Sequence, residues 1–464
     1  MNRRDFLLTR RDGIFYGVIL SLVFVWSVPG TIALRYGLLL ITLVMVTYRI
    51  FSPHNGAPDK VHWDLPRTPL IALTVFSIWL LVQALFISQE TKWALSELKG
   101  QLLLPLIAGV IGILGARIDK GASGENGSFL WSGIVLVFAL QSAIAIGQSV
   151  WHWIEHGSLL RHIVPLTGTK LELSFIVNIM LAIIAIDLFF RTTTGQRFLR
   201  LSVSIMLACL ALGVGANYTA SARNGMIGMV LLALTTVALF LFRARVQLGL
   251  HKVLGIAAAV IVSMGIFATA SYKADPRWQV FAETARIAID IDTHRSWYAP
   301  DIYPLPLLAN GQPVDESAYQ RIAWLRSSAR IATAVPLGVG YGRNAYRRAL
   351  VRMGYEAHLG HSHSGFVDLL AGGGIPAVIL WLVFFGALFV TGWRAFIRCN
   401  LPAGLLLAIL VAGFASRMVL ESIGRDHMLQ IFFFLNGALL TAIAHNAGRD
   451  LHMAPSPAAS DQGA

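Results

Sequence analysis

Three histidines recur in His358-Leu-Gly-His361-Ser-His363-Ser-Gly-Phe-Val-Asp368, where a long polar stretch gives way to an apolar run. Imidazole titrates near neutrality, so such a residue takes a proton from an attacking alcohol and is the usual general base. Just upstream, Arg321 to Tyr355 holds seven arginines and no Asp or Glu. A base beside dense positive charge suits chemistry on a phosphate-bearing substrate. A further arginine stands in Tyr218-Thr-Ala-Ser221-Ala-Arg223-Asn-Gly225, a short polar interruption between two apolar runs. Its guanidinium is a planar fork of donors that matches phosphate oxygens.

Each feature has a plainer reading that spacing alone leaves open. A histidine before an apolar run can cap a helix or sit at a membrane interface. His358, His361 and His363 could bind a metal, although only Glu356 stands near them as an acidic partner and metal centres need well-oriented supporting groups. Arg223 can snorkel from a helix end, and the arginine-rich segment can bind anionic lipid headgroups.

The elements that must position these residues are membrane spans. The chain is 56% hydrophobic and only 13% charged, with a mean hydropathy of +0.65. About 20 apolar residues cross a bilayer. Runs of that order centre on 14–29, 31–50, 69–88, 101–116, 129–151, 172–190, 199–216, 224–242, 253–272, 365–390, 402–416 and 427–445. Backbone in hydrocarbon must satisfy its own hydrogen bonds, so these runs predict helices. The expected fold is an all-α polytopic membrane protein of about 12 transmembrane helices. It divides into an N-terminal bundle (1–272), a large outer loop (273–363), C-terminal spans (364–446) and a tail (447–464).

Arginine and lysine set the orientation. Arg3, Arg4, Arg10 and Arg11, then Arg49, Lys60 and Arg67, then Arg117 and Lys120 fall on one side, as do Arg191, Arg197, Arg200, Arg243, Arg245, Lys252, Arg394 and Arg398. The positive-inside rule makes that side cytoplasmic, and sets the 273–363 loop, Arg223 and the link Glu421–Asp426 outside. Met1–Arg11 leads into a full-length span without a small-residue cleavage site, which predicts an uncleaved first helix. The net charge of +13 comes partly from these topology signals; no nucleic-acid motif accompanies it. Cys209 and Cys399 are placed for packing rather than for a disulfide framework.

Within the outer loop, Pro276, Pro300, Pro304, Pro306 and Pro313 predict an irregular course. Asp315 or Ser317 can cap a helix over about 316–333. Helical spacing puts Ile322, Leu325, Ala329 and Ala332 on one face, Arg321, Trp324 and Ser328 on another, and Arg326 and Arg330 one turn apart. Pro336-Leu-Gly-Val-Gly-Tyr341-Gly342 predicts a tight glycine-rich turn. A second basic helix over about Arg343–Met353 then leads to the histidines. The two short helices form an expected lid over them.

In three blocks the chain resembles the bacterial O-antigen ligases, part of the wider O-antigen ligase/polymerase group of polytopic glycosyltransferases. Ser221-Ala-Arg223-Asn-Gly is similar to that group's Ser-Arg-Gly motif. Arg321-Ile-Ala-Trp324 with Pro336-Leu-Gly-Val-Gly-Tyr-Gly342 is similar to its Arg-x-x-x-Trp and Pro-x-x-Gly-x-Gly pattern. His363-Ser-Gly-Phe-Val-Asp-Leu-Leu, with Gly374-Ile-Pro beyond, is similar to its His-Asn/Ser motif. There are departures: Ser364 stands where Asn is common, Ala222 splits the Ser-Arg pair, and His361-Ser362 repeats the motif two residues early.

The resemblance implies a GT-C-like, metal-independent glycosyltransferase with no cofactor. Its donor would be undecaprenyl-diphosphate-linked O-antigen and its acceptor lipid A–core, joined on the periplasmic face of the inner membrane. His363 or His361 would act as base, and Arg223 and Arg321 would hold the departing diphosphate. Ser221, Trp324, Arg326, Arg330 and Tyr341 would support the site, and Asp426, with Glu421 and Arg425, would orient a histidine or arginine. In-line attack implies inversion. An O-antigen polymerase, which uses a lipid-linked glycan as acceptor, competes closely. A transporter or flippase is the more distant reading; it would carry charges deep within spans and related halves, and no repeat is evident.

Overall fold

The computed structural model describes residues 10–51, 65–119, 127–157, 166–220, 223–248 and 280–453, with isolated helical positions between 251 and 269. Among the described residues the chain is helical, with two isolated β-bridges and no strand. The apolar helices of the first part are α1 (Arg10–Trp26), α2 (Ile32–Phe51), α3 (Arg67–Ile87), α4 (Thr91–Ile118), α5 (Phe129–His156), α6 (Lys170–Thr193), α7 (Val203–Ala220) and α8 (Arg223–Leu248). The long segment between α8 and α12, called the outer segment after the side that the sequence leads one to expect, contributes α9 (Phe281–Ile289), α10 (Glu316–Ala334) and α11 (Ala345–Arg352). Then follow α12 (Gly365–Cys399), α13 (Pro402–Met418) and α14 (Asp426–Met453).

Nine of the described helices are long and apolar enough to cross a membrane, and Asp12–Trp26 and Pro402–Met418 are shorter apolar helices. The chain is thus a multi-pass helical membrane protein. The expected span 253–272 lies largely outside the described residues. At the other end, α14 runs on to Met453, beyond the expected start of the tail at 447.

Small residues let these helices approach closely, as in membrane bundles generally. A Cβ on Gly112 of α4 would lie 2.0 Å from the Phe434 carbonyl oxygen of α14. On α12 and α13, a Cβ on Gly392 or Gly404 would lie 2.6 Å from the carbonyl oxygen of the other. Both α3 and α4 contain a π-helical turn, at Gln83–Ile87 and Lys99–Leu103. Such bulges re-aim side chains within a span, here Gln83 and Gln101.

The outer segment follows the irregular course its prolines suggest over 290–315, with one short helix, α9, before it. It has its own core, in which Trp297, Tyr319, Trp324 and Tyr346 are fully buried. Asp315 caps α10, accepting from the Ala318 N–H at 2.8 Å. The core face of α10 runs through Trp324 rather than along the aliphatic row of Ile322, Leu325, Ala329 and Ala332. Tyr319, Ala323, Trp324, Ser327 and Ile331 are buried, while Leu325 is 45% exposed. Large aromatic rings bury more surface than the aliphatic stripe, and they turn the helix.

Candidate active site

The site is assembled on a break in α12. At Gly374 the backbone leaves helical geometry (φ 77°, ψ −176°), and Pro376 follows. A helix that stops leaves carbonyls without partners, and the glycine-rich turn supplies them. Val339 N–H donates to the Ala371 carbonyl and Gly340 N–H to the Gly372 carbonyl, both at 2.9 Å. Ile375 N–H returns a bond to the Pro336 carbonyl at 2.8 Å. From α3, the Gln83 amide donates to the Gly372 carbonyl (3.0 Å) and the Trp79 indole to the Gly373 carbonyl (2.9 Å). The glycines are required by this approach: a Cβ on Gly338 (φ 78°) would lie 2.2 Å from the Gly372 oxygen, and one on Gly374 would lie 2.4 Å from the Pro336 oxygen.

The histidine segment precedes the first half of α12. Ser364 is the N-cap. One turn in, Asp368 accepts from the Ser362 N–H and hydroxyl (both 2.8 Å) and, on its other oxygen, from the Ser422 hydroxyl (2.6 Å). It therefore ties the histidine loop to the α13–α14 link. Gly365 N–H donates to the Glu421 carbonyl at 3.0 Å, and Ser364 Oγ to the Met418 carbonyl at 3.2 Å.

His363 has a left-handed backbone (φ 51°), uncommon for a side-chain-bearing residue. Its ring stacks on Trp324 (centroids 5.2 Å, planes 23° apart) and meets His361 edge-on at 4.2 Å. Trp324 is fixed in turn, its indole N–H donating to the Trp297 carbonyl at 2.7 Å. Burial pushes His363 down from 6.5 to about 4, helped by His361, Arg321 and Arg425 and opposed by Asp368. His361 falls to about 4 through burial and Arg425, against Asp426. Both imidazoles are consequently neutral at pH 7 and able to accept a proton.

A narrow cavity of about 40 Å³ opens beside them. His361, Arg343, Asp368, Arg425 and Tyr341 line its polar part, and Phe76, Trp381 and Met418 its apolar part. His363 lies behind His361, toward Trp324. Asp426 (φ 52°) exchanges two hydrogen bonds with Gln101, 2.8 and 2.9 Å. Its other oxygen is 4.0 Å from Arg425 Nε. Burial, with Asp426, Asp368 and Glu97 nearby, raises the Tyr341 phenol above its usual range.

The remaining residues singled out by sequence are distributed differently. Ser221 lies outside the described residues, and so does the side chain of Arg223, whose backbone opens α8. The first turn of α8 is close-packed on α6, where a Cβ on Gly225 would lie 1.9 Å from Ser174 Oγ. Arg417 also reaches Ser174 (3.3 Å) and forms a buried ion pair with Glu421 at 2.7 Å. His358 stands apart from the other histidines, with its Nδ1 2.5 Å from Asp301. Arg330 is held by Asp292 and by the Tyr355 hydroxyl rather than by the histidines, and Arg326 is exposed.

The arginine-rich segment is free of acids in sequence but not in space. Arg343 pairs with Glu97, Arg348 with Glu90 and Arg330 with Asp292. Much of its charge is therefore spent joining the outer segment to α4 and to itself. Among the described residues, no three His, Cys, Asp or Glu side chains are grouped to hold a metal ion.

Residues 207–382 match the family model described as O-antigen ligase. The chain resembles the O-antigen ligase family. A search of curated proteins found no match. The O-antigen ligase match takes in Arg223, Arg321, Trp324, the glycine turn, both histidines and Asp368. It points to a glycosyltransferase-like membrane enzyme of the ligase/polymerase type, with lipid-linked glycans as the substrate class. Outside it fall Gln83, Gln101, Ser422 and Arg425, all of which touch this site. The sequence signal for the two glutamines was their polarity within apolar spans; Arg425 carried none beyond its charge.

Proposed function

We infer that this chain is an O-antigen ligase: a GT-C-like, inverting glycosyltransferase that moves O-antigen glycan from undecaprenyl diphosphate to a sugar hydroxyl of lipid A–core. The reading takes the outer segment as periplasmic and the bundle as inner-membrane, in keeping with the cation distribution of the short loops. The observation that carries it is a pair of half-buried histidines in edge-on contact, held beside Arg321 and Arg425, with His361 lining a cavity that has an apolar floor. A neutral imidazole accepts a proton, guanidinia stabilise a departing phosphate, and apolar walls suit a prenyl or acyl tail.

In the step, the acceptor oxygen attacks the anomeric carbon as its proton passes to His363. The bond from that carbon to the diphosphate oxygen breaks on the opposite face, which inverts the centre. Negative charge grows on the leaving diphosphate, where Arg223 and Arg321 would clamp it, with Arg425 adding charge. Preorganised charge of this kind is commonly the largest contribution to such catalysis, and no cofactor or metal ion is needed for the charge balance. His361 is a second reading for the base, favoured because it lines the cavity.

The test is glycan transfer by the purified full chain in chelator, with undecaprenyl-diphosphate glycan and lipid A–core supplied. Product on lipid A–core that disappears in His363→Ala supports the reading, and loss only in His361→Ala moves the base by two residues. Chain growth on the donor lipid would indicate the polymerase instead. Full activity in both variants would overturn the mechanism.

A further inference from the structure

The outer segment holds a second cleft, larger than the first at about 400 Å³, within the ~300–1,000 Å³ typical of small-molecule sites. Its aromatic wall is Tyr298, Tyr303 and Tyr355, with ring centroids 5.1 Å (Tyr298–Tyr355) and 6.1 Å (Tyr298–Tyr303) apart. Around these rings stand Arg295, Arg330, Asp292 and Glu356. Arg295 lies over the Tyr303 ring (5.7 Å) and its Nη1 is 3.5 Å from the Tyr303 hydroxyl. Arg330 donates to the Tyr355 hydroxyl at 3.1 Å and to both oxygens of Asp292.

Two features narrow the ligand. Two guanidinia face two carboxylates, one pair already bonded, so the cleft offers no excess positive charge to a phosphate or an anionic headgroup. Tyrosine faces bordered by planar, hydrogen-bonding ions instead match a polyhydroxylated ring. Sugar C–H groups pack on aromatic faces, and vicinal hydroxyls bond to guanidinium and carboxylate forks.

The cleft is also joined to the candidate active site. Tyr355 packs on Trp297 (5.4 Å), whose carbonyl accepts from Trp324, the ring that carries His363. The same strip of chain that lines the cleft at Gly354–Glu356 runs on directly to His361.

We propose that this tyrosine cleft is a carbohydrate subsite, binding sugar residues of a substrate remote from the reacting bond. It rests on the reading of the chain as a glycan transferase. Donor glycan and acceptor core share this chemistry, and separate arms of one experiment distinguish them.

The experiment is saturation-transfer NMR on the full chain in detergent, with two probes: delipidated O-polysaccharide and the core oligosaccharide freed by mild acid. The expected result is transfer to sugar C–H protons of one probe. Affinity should fall roughly tenfold in Tyr303→Ala, the effect of losing one aromatic face, and in Arg295→Ala. Tyr303→Phe should keep most of the binding, and His363→Ala all of it. Arg295 is exposed, so its variant reports on the cleft even if Tyr303→Ala misfolds.

Absence of transfer to either probe, or equal binding in both cleft variants, overturns the subsite, as does displacement of the sugar by inorganic diphosphate. Glycan ligation with no sugar bound in the cleft would sink the subsite and leave the enzyme reading standing. Cleft-dependent binding without ligation would do the reverse.

Discussion

His363 rests face-on against Trp324, and Trp324 is anchored by its indole bond to the Trp297 carbonyl. A candidate base is thus braced on one side by the core of the outer segment, while Asp368 of α12 holds its loop on the other. Trp324→Ala should remove both the stack and the indole bond. A fully buried Trp replaced by Ala costs about 3–5 kcal/mol, so thermal unfolding of the outer segment should fall sharply. Trp324→Phe keeps a ring under the histidine and loses the indole bond. It should retain the fold with a loss of about 1–3 kcal/mol, read by thermal melting, from the unpaired buried carbonyl.

Replacing the base should reduce kcat by about 10²–10⁴-fold without altering membrane insertion. His363→Ala and His361→Ala, compared in glycan transfer, identify which imidazole is used.

The acid limb of kcat/KM should lie near pH 4 rather than 6.5, because burial holds both histidines down to about 4. Stability carries the same sign. Between pH 6.5 and 4 the unfolded chain binds protons that the folded chain does not, so stability falls as pH drops through that window. Melting temperature against pH should show the decline, and it should shrink in the double His→Ala variant.

Asp368→Asn should loosen the histidine loop, since an amide cannot accept on both sides from Ser362 and Ser422. Loss of its charge also removes the one contribution that raises His363. The expected outcome is a lower kcat with the acid limb displaced further down, measured by pH profile. A purely structural aspartate would leave that limb where it was.

Arg321→Lys should restore little of the activity lost in Arg321→Ala, because a point charge lacks the bidentate fork. Loss of one preorganised donor to a developing anion costs about 10²–10³ in kcat. Single-turnover rates at saturating donor lipid would read it, and equal rates for Lys and Arg would count against a diphosphate clamp.

The amino-acid sequence by itself determined the class. Apolar runs of bilayer length specify helices because hydrocarbon offers the backbone no other partner. The glycine turn was legible too, since positive φ and close backbone approach leave few other residues at Gly338, whereas the break in α12 at Gly374 falls inside what reads as one apolar span. The histidine motif stood out for the same local reason, its types and spacing.

Tertiary structure alone decided the rest. The acids that bind Arg330, Arg343 and Arg348 come from Asp292, Glu97 and Glu90, as far as 258 residues away for the last pair. No local pattern could identify them. Nor could it bring Gln101 to Asp426, 325 residues apart, or stack Trp324 under His363. Which face of α10 is buried could not be read locally, because an aliphatic period is visible in one segment, whereas the aromatic partners of Trp324 (Trp297 and Tyr346) lie in others. Long-range pairs are selected by packing in three dimensions, and that selection leaves little trace in spacing along the chain.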